Sequence, residues 1–214
     1  MKKVSWTEIS VNVKKVSNAL LSLGLQPQDK IAVFSQNCAE YLYTNFGAYG
    51  IRVVTIPFYA TTSSQQVQYM INDAKVRLVF CGEQEQYDKT HRVQALSPSL
   101  ERIVVFDRHV RLSMHDPKAM YFDDFLKLGE GLPHEKEVEE RWQQANEDDL
   151  CDILYTSGTT GDSKGVMLSY KQYAAALKAN DNCVPVGEND RVIDFLPFTH
   201  IFERGWAYLA LSEG

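Results

Sequence analysis

The sequence predicts an α/β fold: a mostly parallel sheet with helices on both faces. Three observations carry this. Six short apolar runs, at 31–34, 53–56, 78–81, 103–106, 150–155 and 192–196, are continuous rather than alternating. Strands covered on both faces read that way. Helical patterns separate most of these runs, and helix-start signatures recur at Ser5…Glu8, Asn37…Glu40, Ser63…Gln66 and Ser169…Gln172. Strand and helix in alternation imply βαβ units.

The first helix carries Ile9, Val13, Val16, Leu20 and Leu23 along one face, opens on the Ser5…Glu8 capping box and stops at Gly24, before Pro27. Strand 31–34 and the helix after Asn37 form the next unit. Strand 53–56 and the helix after Ser63 form another, and strands 78–81 and 103–106 follow. Residues 107–120 and 129–148 are polar and read as surface connectors. The last part holds strand 150–155, a short apolar run at 166–168, a helix from near Ser169 and strand 192–196. We therefore divide 1–214 into βαβ units (1–106), a polar connector region (107–149) and a chemistry-bearing segment (150–214). In such sheets ligands bind outside the carboxyl ends of the strands, so the segments after residues 155 and 196 should open onto one edge.

Composition narrows the function classes. A 214-residue chain buries roughly 70% of its unfolded surface. The net charge of −6 arises from residues 130–149, with eight acids and two bases; the remainder is balanced. That stretch reads as a solvated helix and connector. There is no basic stripe, which argues against nucleic acid as a partner. Cys38, Cys81, Cys151 and Cys183 form no metal-ligand or C-x-x-C spacing, so buried free thiols in a reducing cytoplasm are expected. No run approaches the ~18 apolar residues of a membrane span, and no signal peptide follows Met1. Peripheral membrane association stays open.

The chemistry concentrates in Tyr155-Thr-Ser-Gly-Thr-Thr-Gly-Asp-Ser-Lys-Gly165. Three glycines, five hydroxyl side chains and one lysine follow Tyr155. Glycines let backbone N–H groups approach a ligand, clustered N–H groups cradle anions, and Lys164 adds a positive charge. A polyphosphate fits this mixture. A flexible linker does not explain a lysine between two apolar strands. The G-x-x-x-x-G-K-[ST] loop fails here, because Ser163 stands where a glycine is needed and Gly165 follows the lysine. A second segment, Phe195-Leu-Pro-Phe-Thr-His-Ile-Phe-Glu-Arg204, holds His200 after the strand-ending Pro197, with Thr199 as a candidate helix cap. A lone histidine at a strand end is more often structural. His91, His109, His115 and His134 read as surface residues. Glu203 and Arg204, being adjacent, should each pair elsewhere in the fold.

Residues Thr156 to Lys164 resemble the T-S-G-[ST]-T-G-x-P-K-G signature of the adenylate-forming (AMP-binding) enzymes, with Ser163 in place of proline. The His200 segment is similar to the L-P-[LM]-x-H stretch of that superfamily, and His200-Ile-Phe-Glu-Arg204 to its long-chain fatty acid–CoA ligase branch. Trp6-Thr-Glu8, Asp29-Lys-Ile-Ala-Val33, Ser35-Gln-Asn37 and Ile56-Pro-Phe-Tyr59 with Thr61 extend the likeness over nearly the whole chain. The resemblance implies that a fatty acid and ATP give acyl-AMP and pyrophosphate, and that coenzyme A then gives acyl-CoA and AMP. It implies Ser157, Gly158, Thr159, Thr160, Gly161 and Lys164 as contacts of the ATP β/γ-phosphates. It implies Thr156 as a hydroxyl contact for Mg²⁺ and His200 on the acyl–thiol side; Trp206 is a candidate either for an acyl channel or for core packing. It also implies further segments: an acidic magnesium ligand, a ribose-binding aspartate and a C-terminal lid domain with a catalytic lysine. Without them residues 1–214 alone should be inactive. Another acid- or amino-acid-adenylating domain, and a short non-catalytic ATP- or acyl-binding module, stay open.

Overall fold

The computed structural model describes residues 3–131, 134–156, 163–181, 183–184, 186–187 and 189–213. Seven strands form one sheet: β1 (Lys30–Phe34), β2 (Val54–Phe58), β3 (Leu78–Cys81), β4 (Arg102–Val105), β5 (Ala119–Tyr121), β6 (Leu150–Thr156) and β7 (Lys164–Ser169). Their order is β5-β4-β3-β1-β2-β6-β7. All neighbours are parallel except β6 and β7, which pair antiparallel.

Helices cover both faces, as expected. On one side α1 (Trp6–Ser22), α2 (Ala39–Tyr49) and α5 (Phe122–Lys127) pack on Ile31, Val33, Leu78, Phe80 and Val104. On the other, α3 (Ser64–Ala74) and α4 (Gln84–Val93) pack on Ala32, Phe34, Val79, Ile103 and Val105. Successive strand residues thus enter opposite cores, which is why the sequence runs are continuously apolar. The remaining helices are α6 (Glu135–Gln143), α7 (Tyr170–Asp181) and α8 (Ile201–Glu213). Among the described residues no helix is long and apolar enough to cross a membrane.

The helix-start signatures act in different ways. Ser5 Oγ accepts from Glu8 N–H at 3.1 Å, and Ser63 with Gln66 forms the full reciprocal box. Asn37 does not cap α2; Cys38 occupies that position, while the Asn37 amide reaches the chain near residue 197. The close approach of α1 and α2 depends on Gly47, where a Cβ would lie 2.5 Å from Val16 Cγ1. Gly47→Ala is expected to destabilise the protein by about 1–3 kcal/mol through overpacking, read as a lower denaturant midpoint at unchanged slope.

Four expectations need correction. Residues 107–120 are not merely a connector, since β5 begins within them and α5 follows, while α6 is the helix expected in the acidic stretch. β5 is only three residues long and half-buried at the sheet edge, so it lacks an apolar run. Residues 192–196 form no strand; Ile193 and Phe195 are 79% and 78% exposed. The sheet position beside β6 is taken by β7. Cys183 is exposed and Cys38 half-buried, whereas Cys81 and Cys151 are buried as expected. Two histidines are drawn inward: His91 Nδ1 lies 2.8 Å from the buried Asp116 carboxylate, and His134 Nε2 lies 3.1 Å from Ser22 Oγ.

Candidate functional site

The β6–β7 ladder holds the two ends of the glycine-rich loop side by side, with Thr156 opposite Lys164 and Tyr155 opposite Gly165. A Cβ at Gly165 would lie 2.7 Å from Ile153 Cγ2 and 3.3 Å from the Tyr155 ring. Gly165 is therefore required by the hairpin itself. Tyr155 is anchored in turn, its hydroxyl donating to Asp73 on α3 at 2.5 Å. Burial, then the Asp73 carboxylate, holds that phenol well above the ordinary tyrosine range. Ser157, Gly158, Thr159, Thr160 and Gly161 lie outside the described residues.

A cleft of about 500 Å³ opens at the carboxyl ends of β2 and β6. Thr156 and Ser163, at the two loop ends, line it together with Thr199 and His200. Tyr59, Thr61 and Thr62 from the turn after β2, and Gln66 from α3, complete its polar wall. Lys164, the residue after Ser163, is exposed at the start of β7. The two sequence segments thus meet at one sheet edge, although only one of them follows a strand. A larger apolar recess, about 640 Å³, is lined by residues of α1, α2, α7 and α8 and by none of the loop. Its lining offers little to hold a charged ligand.

His200 reaches the cleft through tethers rather than a strand. Asn37 Nδ2 donates to Leu196 O at 2.7 Å, and Asn37 Oδ1 accepts from Phe198 N–H at 2.9 Å. His200 N–H closes a turn onto Pro197 O at 2.9 Å. Its Nδ1 accepts from Phe202 N–H at 3.2 Å, so in the neutral ring Nε2 carries the proton. The ring thereby takes the capping role expected of Thr199, whose buried hydroxyl has no hydrogen-bond partner among the described residues. Behind this turn Glu203 is buried. Burial first, then Asp194, raises its carboxyl above the usual range, while the backbone N–H groups of Leu196 and Phe195 pull the other way.

Trp206 lies in a separate groove of about 340 Å³ between α7 and α8, with Leu168, Tyr173, Leu177 and Leu209. Ile201 lines both this groove and the cleft, so the two adjoin. Among the described residues no group of three or more His, Cys, Asp or Glu side chains is placed to hold a metal ion. Sequence reasoning did not single out Gln66 or Thr62 as site residues. The signal was available in their position just after an apolar strand.

Comparison with known proteins agrees with this geometry. The chain is 29% identical over 221 residues to fatty acyl-CoA synthetase A of Dictyostelium discoideum, covering all of this chain and 32% of that protein. It is 28% identical over 227 residues to human (Homo sapiens) long-chain-fatty-acid–CoA ligase 1, covering 99% of this chain and 31% of that one. The chain thus spans about a third of the length of these relatives. Among solved structures, the fold matches a putative long-chain-fatty-acid CoA ligase from Rhodopseudomonas palustris with a TM-score of 0.82 at 16% identity, over 100% of this chain and 50% of that one. It matches the anthranilate CoA ligase AuaEII, in complex with anthranoyl-AMP, with a TM-score of 0.81 at 21% identity, over 95% and 37% respectively. The profile of the AMP-binding enzyme family matches residues 1–214. With that profile over the whole chain and the two segments meeting at one cleft, the chain belongs to the AMP-binding enzyme family.

Proposed function

We propose that this chain forms part of the large domain of an ATP-dependent long-chain fatty acyl-CoA synthetase. The observation that carries the proposal is the single cleft bordered by both ends of the glycine-rich loop and by His200. In the reaction, a fatty-acid carboxylate attacks the α-phosphate of ATP, giving acyl-adenylate and pyrophosphate. The thiol of coenzyme A then displaces AMP and leaves a thioester. No protein nucleophile is needed, and catalysis rests on positioning and charge neutralisation.

Ser157, Gly158, Thr159, Thr160, Gly161 and Lys164 take the β/γ-phosphates, and His200 stands where the acyl carboxylate meets the thiol. Trp206 and the adjoining α7–α8 groove take the acyl chain. Mg²⁺ would neutralise phosphate charge, with Thr156 as its hydroxyl contact. An acidic ligand for it would come from the further segments that the family resemblance implies, alongside the phosphates. A cytoplasmic location suits the free thiols.

The test is acid-dependent ATP–pyrophosphate exchange by the intact gene product, across long- and short-chain fatty acids, aryl acids and amino acids. Exchange with long-chain acids, followed by acyl-CoA formation, is expected. Exchange confined to aryl or amino acids would overturn the assigned substrate class, and no exchange with any acid would overturn adenylation. Residues 1–214 alone are expected to form no acyl-CoA.

A further inference from the structure

We propose that Arg204 is a positioning residue that locks the 198–200 turn to β6, and so holds His200 in register with the strand feeding the phosphate loop. The inference rests on the acid-activating reading above. Arg204 is only 1% exposed, and it is the bulkiest fully buried side chain among the described residues. Its Nε donates to Phe198 O at 3.0 Å, two residues before His200. Its Nη1 lies 3.2 Å from each Asp152 carboxylate oxygen and 2.8 Å from Tyr208 Oη. Its Nη2 donates to Tyr41 Oη at 3.1 Å.

Asp152 lies within β6, on the strand that ends at Thr156. It also accepts from Tyr49 at 2.9 Å, from Tyr173 at 2.7 Å and from Thr55. One guanidinium therefore ties β6, through Asp152, to α2, to α8 and to the turn carrying His200. Burial pushes the Tyr208 phenol up to about 12, against the pull of Arg204, so it stays protonated.

A buried ion pair contributes little net stability compared with apolar packing, because desolvation offsets most of the attraction. The consequence of this network is geometric. The guanidinium is a rigid plane with donors in fixed directions. Phe198 O and the Asp152 carboxylate are bonded to the same plane, so the turn cannot slide along β6 without breaking one of the two bonds. Displacement of a reacting group by about 1 Å can cost around 10²-fold in rate.

The test is Arg204→Lys in the intact protein. Lysine keeps the charge beside Asp152, but its single nitrogen cannot span Asp152 and Phe198 O together. The expected result is adenylate formation slowed by up to about 10²-fold per folded molecule, an unchanged KM for ATP, and an altered ratio of adenylate formation to thioester formation. Loss of folded molecules would lower both half-reactions equally and leave the rate per folded molecule unchanged, and that pattern would overturn the proposal. If Arg204→Lys does not fold, Tyr41→Phe removes one hydroxyl from Nη2. The same pattern at smaller size is then expected, and wild-type constants in a folded Tyr41→Phe protein would overturn the proposal. A wild-type protein with no exchange for any acid would instead overturn the underlying functional reading.

Discussion

Lys164→Ala in the intact protein is expected to slow acid-dependent pyrophosphate exchange by about 10²-fold or more, with little change in thermal stability. A preorganised donor aimed at developing charge is worth about 3–4 kcal/mol in a transition state, and each ~1.4 kcal/mol is tenfold in rate. Negative charge accumulates on the departing pyrophosphate, where the proposed function puts the Lys164 ammonium. The loss should therefore fall on kcat and kcat/KM together, as for an interaction made chiefly in the transition state. Stability should hold because Lys164 is exposed at the first residue of β7, and its ladder pairing with Thr156 uses backbone only. Lys164→Arg should recover part of the rate, since the charge returns with different geometry. Near-normal exchange by Lys164→Ala would sink the assigned role.

The sheet was legible wherever a strand is buried on both faces. The runs at 31–34, 53–56, 78–81, 103–106 and 150–155 each contain most of an observed strand, because burial between two layers favours apolar residues at most positions. The same rule misled at 192–196, where apolar side chains belong to an extended segment tethered by Asn37 rather than by a ladder. It also missed β5, whose half-buried edge position needs no apolar run. The loop ends and His200 stood out as motifs, and the cleft they share owes one side to β6 and the other to the Asn37 tethers. The polar core behind them was legible only in part. That Arg204 needs a distant partner follows from helix geometry, whereas which partner it finds does not. Asp152 and Asp194 both stand inside apolar runs of the sequence, and only the fold shows that Thr55, Tyr49 and Tyr173 converge on Asp152.

Arg204→Met is expected to lower stability by about 3–5 kcal/mol, the usual loss when one partner of a buried pair is removed. In thermal unfolding that is a midpoint lower by about 10 °C. The cost arises at Asp152, which is 0% exposed and would lose its counter-charge. The surrounding phenols soften the loss but cannot replace the guanidinium. Burial, reinforced by the Asp152 charge, holds Tyr49 and Tyr173 well above the ordinary tyrosine range, so both stay protonated and donate to Asp152 as neutral groups. Neutral donors satisfy the carboxylate's lone pairs, and they do not cancel its charge. A second change that removes that charge, Asp152→Asn on the Arg204→Met background, should therefore recover part of the stability, giving coupling well outside the additivity seen for distant sites. Simple addition of the two single losses would mean that the hydroxyls, rather than Arg204, hold Asp152 in the core. One cation, Lys164, lies exposed at the cleft edge, where its removal should slow chemistry and spare the fold. The other is sealed behind the His200 turn, where its removal strands a charge.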